Sequence, residues 1–291
     1  MELTERDADI LAMLVFVGFA TTPQIRREHF PKDKDGSVVR DRMRKLEAGG
    51  YVVRRRAEVA NPLQSSTMPV WIITPQALST LAVVKGDPTY LNLHPPCTRA
   101  WQNFCHYACV TAFALLLRRV IAAQTYVKLH AFHCEHTILN PDASAPGERY
   151  KLYTDVSAES ALKKLVCAPD AAFEIEVQGY RRAYYLELER GFDMPARVIA
   201  KKGQGFAGLA ETQKWKRHFP EAKDFRALAL TPSAGWRDAL RKCVRDYKKG
   251  AELWMFAAEP ELTEENLLHG LAFYTATEGP KALIKPPAGP P

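Results

Sequence analysis

The spacing of apolar residues near the N-terminus predicts two short helices. Apolar residues recur at helical intervals over residues 10–15, behind Thr4 as the N-cap residue, and Gly18 ends this helix. A second helix is expected to start at the cap residue Thr22 and to run for about two turns. The chain therefore begins with a helical unit rather than with a strand.

A third helix and two strands follow the first two helices. Residues 37–48 form the third helix, residues 51–55 and 70–73 form the strands, and the polar segment 57–68 forms a loop between them. The inner face of the third helix consists of Val39, Met43 and Leu46. This order is typical of a winged helix-turn-helix, in which the third helix enters the major groove of DNA and the loop is the wing.

Charge supports a polyanionic partner for this first domain. The chain has a formal net charge of +7, and residues 21–56 hold eleven Lys or Arg against five Asp or Glu. We therefore predict double-stranded DNA as the partner, although a protein-binding module with a solvated basic face remains the alternative. The residues expected to contact DNA are Arg40, Arg42, Arg44, Lys45, Arg54, Arg55 and Arg56.

The rest of the chain alternates strands and helices, which predicts an α/β domain with a mixed sheet. The expected helices are 101–123, a segment within 195–217, and 236–248; the expected strands are 126–134, 171–177, 182–189, 225–230 and 253–257. The domain boundaries are predicted at 1–85 for the DNA-binding domain, 86–97 for a proline-containing linker, 98–262 for the α/β domain and 263–291 for a tail. The tail is expected to be disordered from Glu278 onward.

Three carboxylates are expected to meet on the hairpin formed by strands 171–177 and 182–189. A turn centred near Gly179 and Tyr180 places Asp170 opposite Glu189, and Glu187 shares their face because strand side chains alternate. Oxygen ligands suit Mg²⁺, so Asp170 and Glu187 are the predicted metal ligands. A further acid, Glu135, follows the first strand of the domain and is a weaker addition to this set.

These acids resemble the PD-(D/E)xK motif of restriction-endonuclease-like proteins. The matching residues are Pro169-Asp170 and Glu187-Leu188-Glu189, with Glu189 at the position of the usual lysine. The resemblance implies a restriction-endonuclease-like α/β fold, so the whole chain is predicted to be α+β, a winged helix-turn-helix followed by that domain. The candidate catalytic residues are Asp170, Glu187, Glu189 and Glu135. Lys201 or Lys202 on the next helix is placed to supply the missing cation.

The arrangement as a whole resembles the replication-relaxation family, which includes MobC-type accessory proteins of the relaxosome. Pro169-Asp170 and the run 186–191 match the family's short signature. The resemblance implies a DNA-binding accessory protein of plasmid or conjugative-element mobilisation or replication, with a relaxase or a coupling protein as partner. The alternatives are a Mg²⁺-dependent endonuclease of the PD-(D/E)xK type and a winged-helix transcriptional regulator that forms a homodimer. Because Glu189 replaces lysine, we expect no catalytic activity from the chain alone.

The remaining signals favour a cytoplasmic protein. The six cysteines form no CxxC pair, no secretory signal is expected to precede them, and reduced thiols are predicted. No segment is expected to span a membrane, since the best apolar run, 110–117, is short. A zinc site around His130, His133, Cys134 and His136 is a weaker hypothesis, because strand alternation separates His133 from the others.

Overall fold

The chain folds into two compact units, which are described separately. The computed structural model describes residues 3–56, 69–96, 104–157, 164–190 and 194–285. The first unit comprises Met1–Ala112 with His136–Ser144, and the second comprises Phe113–Glu135 with Ala145–Pro291. The first unit thus includes the predicted linker, 86–97, and the first residues of the predicted α/β domain, 98–112.

The first unit combines helices with a small antiparallel sheet. Its elements are α1 Glu5–Val17, β1 Phe19–Thr21, α2 Thr22–His29, α3 Ser37–Ala48, β2 Val52–Arg56, β3 Pro69–Ile73, α4 Pro75–Val84 and a 3₁₀ helix at Pro88–Asn92. The sheet has the order β1-β3-β2 and is antiparallel throughout. Strand β1 and helix α4 were not predicted; β1 has only three residues, too few to show an alternating pattern.

Local capping explains where the first two helices begin. Thr4 caps α1 in a reciprocal box with Asp7, and Gly18 ends the helix with a positive φ, as predicted. The predicted cap of α2 is wrong by one residue, since Thr21 accepts the hydrogen bond from the amide of Gln24. The hydroxyl of Thr22 instead accepts a hydrogen bond from the indole of Trp71, which ties α2 to the sheet.

Helix α3 has the predicted bounds and the predicted inner face. Val39, Met43 and Leu46 are fully buried in the core of the first unit. The turn before the helix is held by Asp33, whose carboxylate accepts hydrogen bonds from the amides of Gly36 and Val39 at 3.1 and 2.9 Å. The opposite face of α3 is consequently fixed in direction and left to solvent.

Helix α5, Phe104–Ala122, contributes to both units. Within the first unit, the Thr111 hydroxyl donates to the carbonyl of Phe19, and Tyr107 packs against β1 and β3. The segment Cys105–Ala122 is long and apolar enough to cross a membrane, judged by length and composition only. The prediction that no segment is long and apolar enough is therefore wrong. Half of this segment is buried inside the protein, as is usual for the core helix of a globular domain.

The second unit is built on a mixed six-stranded sheet with the order β11-β10-β9-β8-β7-β4. Its elements after α5 are β4 Val127–Cys134, α6 Pro146–Arg149, β5 Thr154–Asp155, β6 Val166–Cys167, β7 Ala171–Val177, β8 Tyr180–Leu188, α7 Pro195–Glu211, β9 Asp224–Thr231, α8 Ala234–Tyr247, β10 Trp254–Ala258 and β11 Tyr274–Thr275. Strands β8, β9 and β10 are parallel and the other pairs are antiparallel. The predicted α+β class with a mixed central sheet is therefore confirmed.

One face of this sheet is buried under α7 and α8. Tyr185 and Trp254 from the strands pack with Phe206 of α7 and Leu240 and Val244 of α8 in one apolar cluster. These residues fix α7 over β8, which places the helix beside the end of that strand. The predicted short helix in 158–165 falls largely on residues 158–163, which lie outside the described ranges.

The C-terminal segment completes the sheet rather than hanging free of it. Strand β11 pairs with β10, and Phe273, Leu283 and Ile284 are buried. The prediction of disorder from Glu278 onward is therefore wrong for 278–285, because its few apolar residues find a place in the core. Residues 286–291 lie outside the described part of the chain.

Candidate functional site

The β7–β8 hairpin has a tighter turn than the sequence predicts. Gln178 and Gly179 form a two-residue loop in which both have positive φ, 50° and 83°, and Val177 pairs with Tyr180. The predicted pairing of Asp170 with Glu189 is therefore wrong. Extending the observed register beyond the Ala171–Leu186 pair places Asp170 opposite Glu187. The error shifts the pairing by two residues, which leaves the side chains on the predicted face.

Asp170 lies at the start of the hairpin and is largely buried. Its backbone amide donates to the carbonyl of Leu186 at 3.1 Å, and its Oδ2 accepts a hydrogen bond from the amide of Leu188 at 2.7 Å. The carboxylate therefore continues the pairing of the two strands with its side chain. Its carbonyl oxygen also accepts the amide of Glu135 at 2.9 Å, so Glu135 is the neighbour of Asp170 on the next strand.

Glu187 is the most buried acid of the set, with 2% of its side chain exposed. Lys202 of α7 reaches it and donates a hydrogen bond to Oε2 within an ion pair. Glu189 follows the end of β8 and donates its amide to the carbonyl of Leu230 on β9 at 2.7 Å. The cation beside Glu187 is thus supplied by helix α7. It does not come from the strand position that Glu189 occupies and where the motif usually has lysine.

The protonation equilibria show how closely these charges interact. Burial raises the pKa of Glu187 well above its ordinary value, and the carboxylates of Asp170 and Glu189 add to this, whereas the Lys202 charge opposes it. Burial lowers the pKa of Lys202, but Glu187, Asp170 and Glu189 raise it more, so its ammonium stays protonated. Burial and the charge of Glu187 also raise the pKa of the Cys167 thiol, so this cysteine is no thiolate at neutral pH.

One oxygen of each of the two carboxylates, Asp170 and Glu187, is already engaged by a protein donor. Oε2 of Glu187 is engaged by Lys202, and Oδ2 of Asp170 is engaged by a backbone amide. Across the described ranges, no group of three or more His, Cys, Asp or Glu side chains is arranged to hold a metal ion. Strand β4 has a bulge at His130, and Nε2 of this residue lies 2.7 Å from Oε2 of Glu176. His130 is therefore engaged by an acid and not by the other residues of the zinc hypothesis.

The basic residues predicted to contact DNA differ in how far they are exposed. Arg40, Arg44 and Lys45 are exposed on the outer face of α3, and Arg54 and Arg55 are exposed on β2. The side chain of Arg56 and the predicted wing loop, 57–68, lie outside the described residues. Five of the seven predicted DNA contacts are thus exposed on two adjoining elements, and two of them have acidic neighbours, Asp41 beside Lys45 and Glu47 beside Arg54.

Arg42 has a different environment from the other arginines of α3. Its Nε and Nη2 donate to both carboxylate oxygens of Asp7, whose side chain is fully buried. Burial raises the pKa of Asp7, but the hydrogen bonds from Arg42 and Thr4 lower it further, and the net pKa is below the ordinary value. We infer that Arg42 fastens α3 to the start of α1, since removing it would leave a buried carboxylate unpaired.

Both the basic helix and the acidic hairpin lie within one family match. The family model described as Replication-relaxation matches residues 11–221, which is more than half of the chain. The chain belongs to the replication-relaxation family. No curated protein and no solved structure matches it at a significant level. Membership of the replication-relaxation family suggests a role in the replication or mobilisation of a plasmid or similar element.

This replication-relaxation protein also holds a buried polar chain that the sequence did not reveal. Nδ1 of His218 lies 2.8 Å from the hydroxyl of Tyr185, and Nε2 lies 3.0 Å from the hydroxyl of Thr154. All three residues are buried, and Tyr185 precedes Glu187 by two positions on the same face of β8. Sequence spacing gives no signal for this network, because its members come from three separate segments.

The lowered pKa of His218 predicts how the stability of the protein depends on pH. Burial, with Arg217 and Lys151 nearby, lowers its pKa from 6.5 to about 4. The unfolded chain binds this proton below pH 6.5, whereas the folded protein resists it until about pH 4. Stability is therefore full above pH 6.5 and falls as the pH drops toward 4, by roughly 3 kcal/mol at about 1.4 kcal/mol per pKa unit.

Urea unfolding of the wild type at pH 7 and at pH 4.5 measures this loss. His218→Gln should unfold more readily at pH 7, because buried hydroxyls lose their partner, and should show a smaller loss on acidification. The exposed His94, changed to Gln, serves as the matched control and should behave as the wild type. An unchanged pH dependence in His218→Gln would show that this ring titrates normally.

Proposed function

We propose that this protein binds duplex DNA through its first unit and serves as an accessory protein of the relaxosome in plasmid or conjugative-element mobilisation or replication. The observation that carries the proposal is the row of exposed cations Arg40, Arg44 and Lys45 on the outer face of α3. Exposed cations in a row on one helix match the regular spacing of DNA phosphates. Family membership supports the biological setting.

The order of elements in the first unit supports a winged helix-turn-helix. Helices α1, α2 and α3 precede an antiparallel pair, β2 and β3, and α3 buries one face while it exposes the other. We propose α3 as the recognition helix that enters the major groove. Arg54 and Arg55 on β2, beside the wing position, would then contact the phosphate backbone next to it.

The second unit is proposed to be nuclease-like in fold and not catalytic on its own. The proposal is supported by Asp170 and Glu187 at one end of the β7–β8 hairpin and by Lys202, which supplies a cation from α7. We propose that the Lys202 ammonium neutralises the buried acids in place of a metal ion. The Lys202 ammonium then offsets one carboxylate charge without Mg²⁺, and its pair with Glu187 stabilises the fold.

A second candidate function is a Mg²⁺-dependent endonuclease of the PD-(D/E)xK type. The observation that favours it is the same lysine, because Asp170, Glu187 and Lys202 together restore the acid and lysine set that is incomplete in the sequence motif, where Glu189 replaces lysine. This function requires Glu187 to exchange Lys202 for a metal ion. We rank it second because both acids are already engaged by protein donors.

The accessory role has further implications for partners and place. We propose a cytoplasmic protein whose protein partner is a relaxase or a coupling protein, and which forms a homodimer if its DNA site is palindromic. Such a protein brings a second protein to one DNA sequence. It therefore needs to discriminate that sequence from other duplex DNA.

A mobility-shift titration at several salt concentrations tests the proposal. The full chain is titrated against a duplex carrying the transfer origin of its own element and against an unrelated duplex of equal length. We expect tighter binding to the origin, and a logarithmic fall in affinity with salt whose slope corresponds to several phosphate contacts. Equal or absent binding of both duplexes at 150 mM salt would contradict the proposal.

A further inference from the structure

A cavity of about 1150 Å³ lies in the second unit, between the tip of the β7–β8 hairpin and the C-terminal segment. Tyr180, Arg182 and Tyr184 of β8 line it. They lie at the beginning of β8, whereas Glu187 lies near its end. They also lie on the other face, because side chains of a strand alternate and Glu187 is an odd number of residues away. The cavity is therefore separate from the acidic site.

The walls of the cavity combine aromatic and aliphatic surface. Ile175 and Val177 of β7 and Met255 of β10 form the apolar part, and the C-terminal residues from Lys281 to Lys285 form the opposite wall. The Tyr184 hydroxyl donates to the carbonyl of Leu283 at 3.1 Å, which holds this wall in place. Tyr180 is 47% exposed, and the guanidinium of Arg182 lies 5.5 Å from its ring centroid, so a planar ligand would stack on the opposite side of the ring.

Arg226 of β9 is the unusual residue of this cavity. It is partly buried and adjoins Tyr184 in the parallel register of β8 and β9. Two other cations of the wall have acidic partners: Arg182 forms a two-pronged ion pair with Asp224 at 2.6 and 2.7 Å, and Lys281 pairs with Glu278. Arg226 makes no hydrogen bond or ion pair with any residue that the structure describes.

Asp224 lies near enough for its charge to interact with that of Arg226 but does not bond to it, so a partly buried guanidinium is left that an anion can complete. The cavity is lined by four cations and by two acids, Glu252 and Glu278, and this excess of positive charge favours a negatively charged ligand. The exposed ring of Tyr180 favours a planar one. The volume suits a small organic molecule rather than a folded partner. An aromatic ring joined to an anionic group is the chemistry of a nucleotide.

We propose that this cavity binds a nucleotide, with its base on Tyr180 and its phosphate at Arg226. The nucleotide comes from one of two sources, a free mononucleotide or one residue of a single-stranded DNA. The geometry of the site is the same for both, because the base and one phosphate are the recognised parts. The proposal does not depend on duplex binding by the first unit.

Two probes distinguish the sources. Deoxyadenosine monophosphate is titrated by calorimetry, and a fluorescein-labelled ten-nucleotide oligo(dT) is titrated by anisotropy, both against the full chain without divalent metal. Binding of the mononucleotide with a Kd of about 10⁻⁴ M or tighter assigns the site to free nucleotides. Binding of the oligonucleotide alone assigns it to single strands.

Substitutions locate either affinity in the cavity. Arg226→Gln should weaken binding about tenfold or more, since a charge-assisted pair with phosphate is lost, and Arg226→Lys should recover part of it. Tyr180→Ala should also weaken binding. The control Arg245→Gln, on the exposed face of α8, should not.

The outcome separates this site from the duplex-binding surface. Arg40→Glu with Arg44→Glu should leave nucleotide binding unchanged, so failure of one proposal does not imply failure of the other. Thermal unfolding of each variant verifies that it is folded. The proposal would be overturned if the wild type bound neither probe. It would also be overturned if Arg226→Gln and Tyr180→Ala were folded and bound the probes as tightly as the wild type.

Discussion

Reversing the charge of Arg40 and Arg44 to Glu is expected to weaken duplex binding on the order of 100-fold at 150 mM salt. Each arginine is exposed on the outer face of α3, so the loss comes from DNA contact and not from the fold. Each lost phosphate contact should lower the salt slope by about one. Mobility shifts with the same duplex at four salt concentrations measure both quantities.

The control for this variant changes the same net charge elsewhere. Lys242 and Arg245 are exposed on α8 of the second unit, and their reversal to Glu removes as much positive charge from the protein. We expect the control to bind within about twofold of the wild type and to keep its salt slope. Equal losses in both variants would mean that net charge, and not the α3 surface, governs binding.

Changing Lys202 to Met is expected to destabilise the protein by about 3 kcal/mol. Removing one member of a buried ion pair leaves the other charge without compensation, at a cost of roughly 3–5 kcal/mol. The lower end applies here, because Lys202 has 32% of its side chain exposed and Glu187 can take up a proton instead. Urea unfolding at pH 7 measures the change.

A second variant shows that the effect arises from the pair. Adding Glu187→Gln to Lys202→Met removes the uncompensated charge, so the double variant should be more stable than Lys202→Met alone, with a coupling of about 1–3 kcal/mol. The pH dependence has a definite sign. Removing Lys202 raises the pKa of Glu187 in the folded state further, so Lys202→Met loses more stability than the wild type as the pH rises above about 5. Additive losses and a flat pH profile would show that the two residues act independently.

Local patterns in the sequence predict most elements of both units. Helix α3, with its inner face of Val39 and Met43, and strand β7 have the predicted bounds, because each follows its periodicity over more than one repeat. The turn between β7 and β8 was misplaced because only Gly179 carries an obvious turn signal. Gln178 also adopts a positive φ, and the sheet dictates this rather than the residue type.

The ionic structure of the site depends on contacts that sequence spacing does not contain. The sequence places Asp170, Glu187 and Glu189 on one face and suggests a lysine from the next helix, but the packing of α7 on β8 selects Lys202 as the partner of Glu187. The same holds for Arg42, which the sequence assigns to DNA and which instead binds the buried Asp7. In both cases a long-range pair decides what the charge does.

The central claim is that this protein binds DNA without cutting it, because Lys202 already pairs with Glu187. A lysine next to a bound metal commonly contributes about 10²–10³ in rate as a preorganised donor, and here that lysine is engaged by Glu187. The direct test incubates supercoiled plasmid carrying the transfer origin with wild type and with Glu187→Ala, in Mg²⁺ and in Mn²⁺. One half of each sample is run natively and the other half after removal of protein. For both proteins we predict retarded plasmid in the native gel and intact supercoiled plasmid in the deproteinised sample. Metal-dependent nicking by the wild type that Glu187→Ala abolishes would contradict the account and establish the endonuclease.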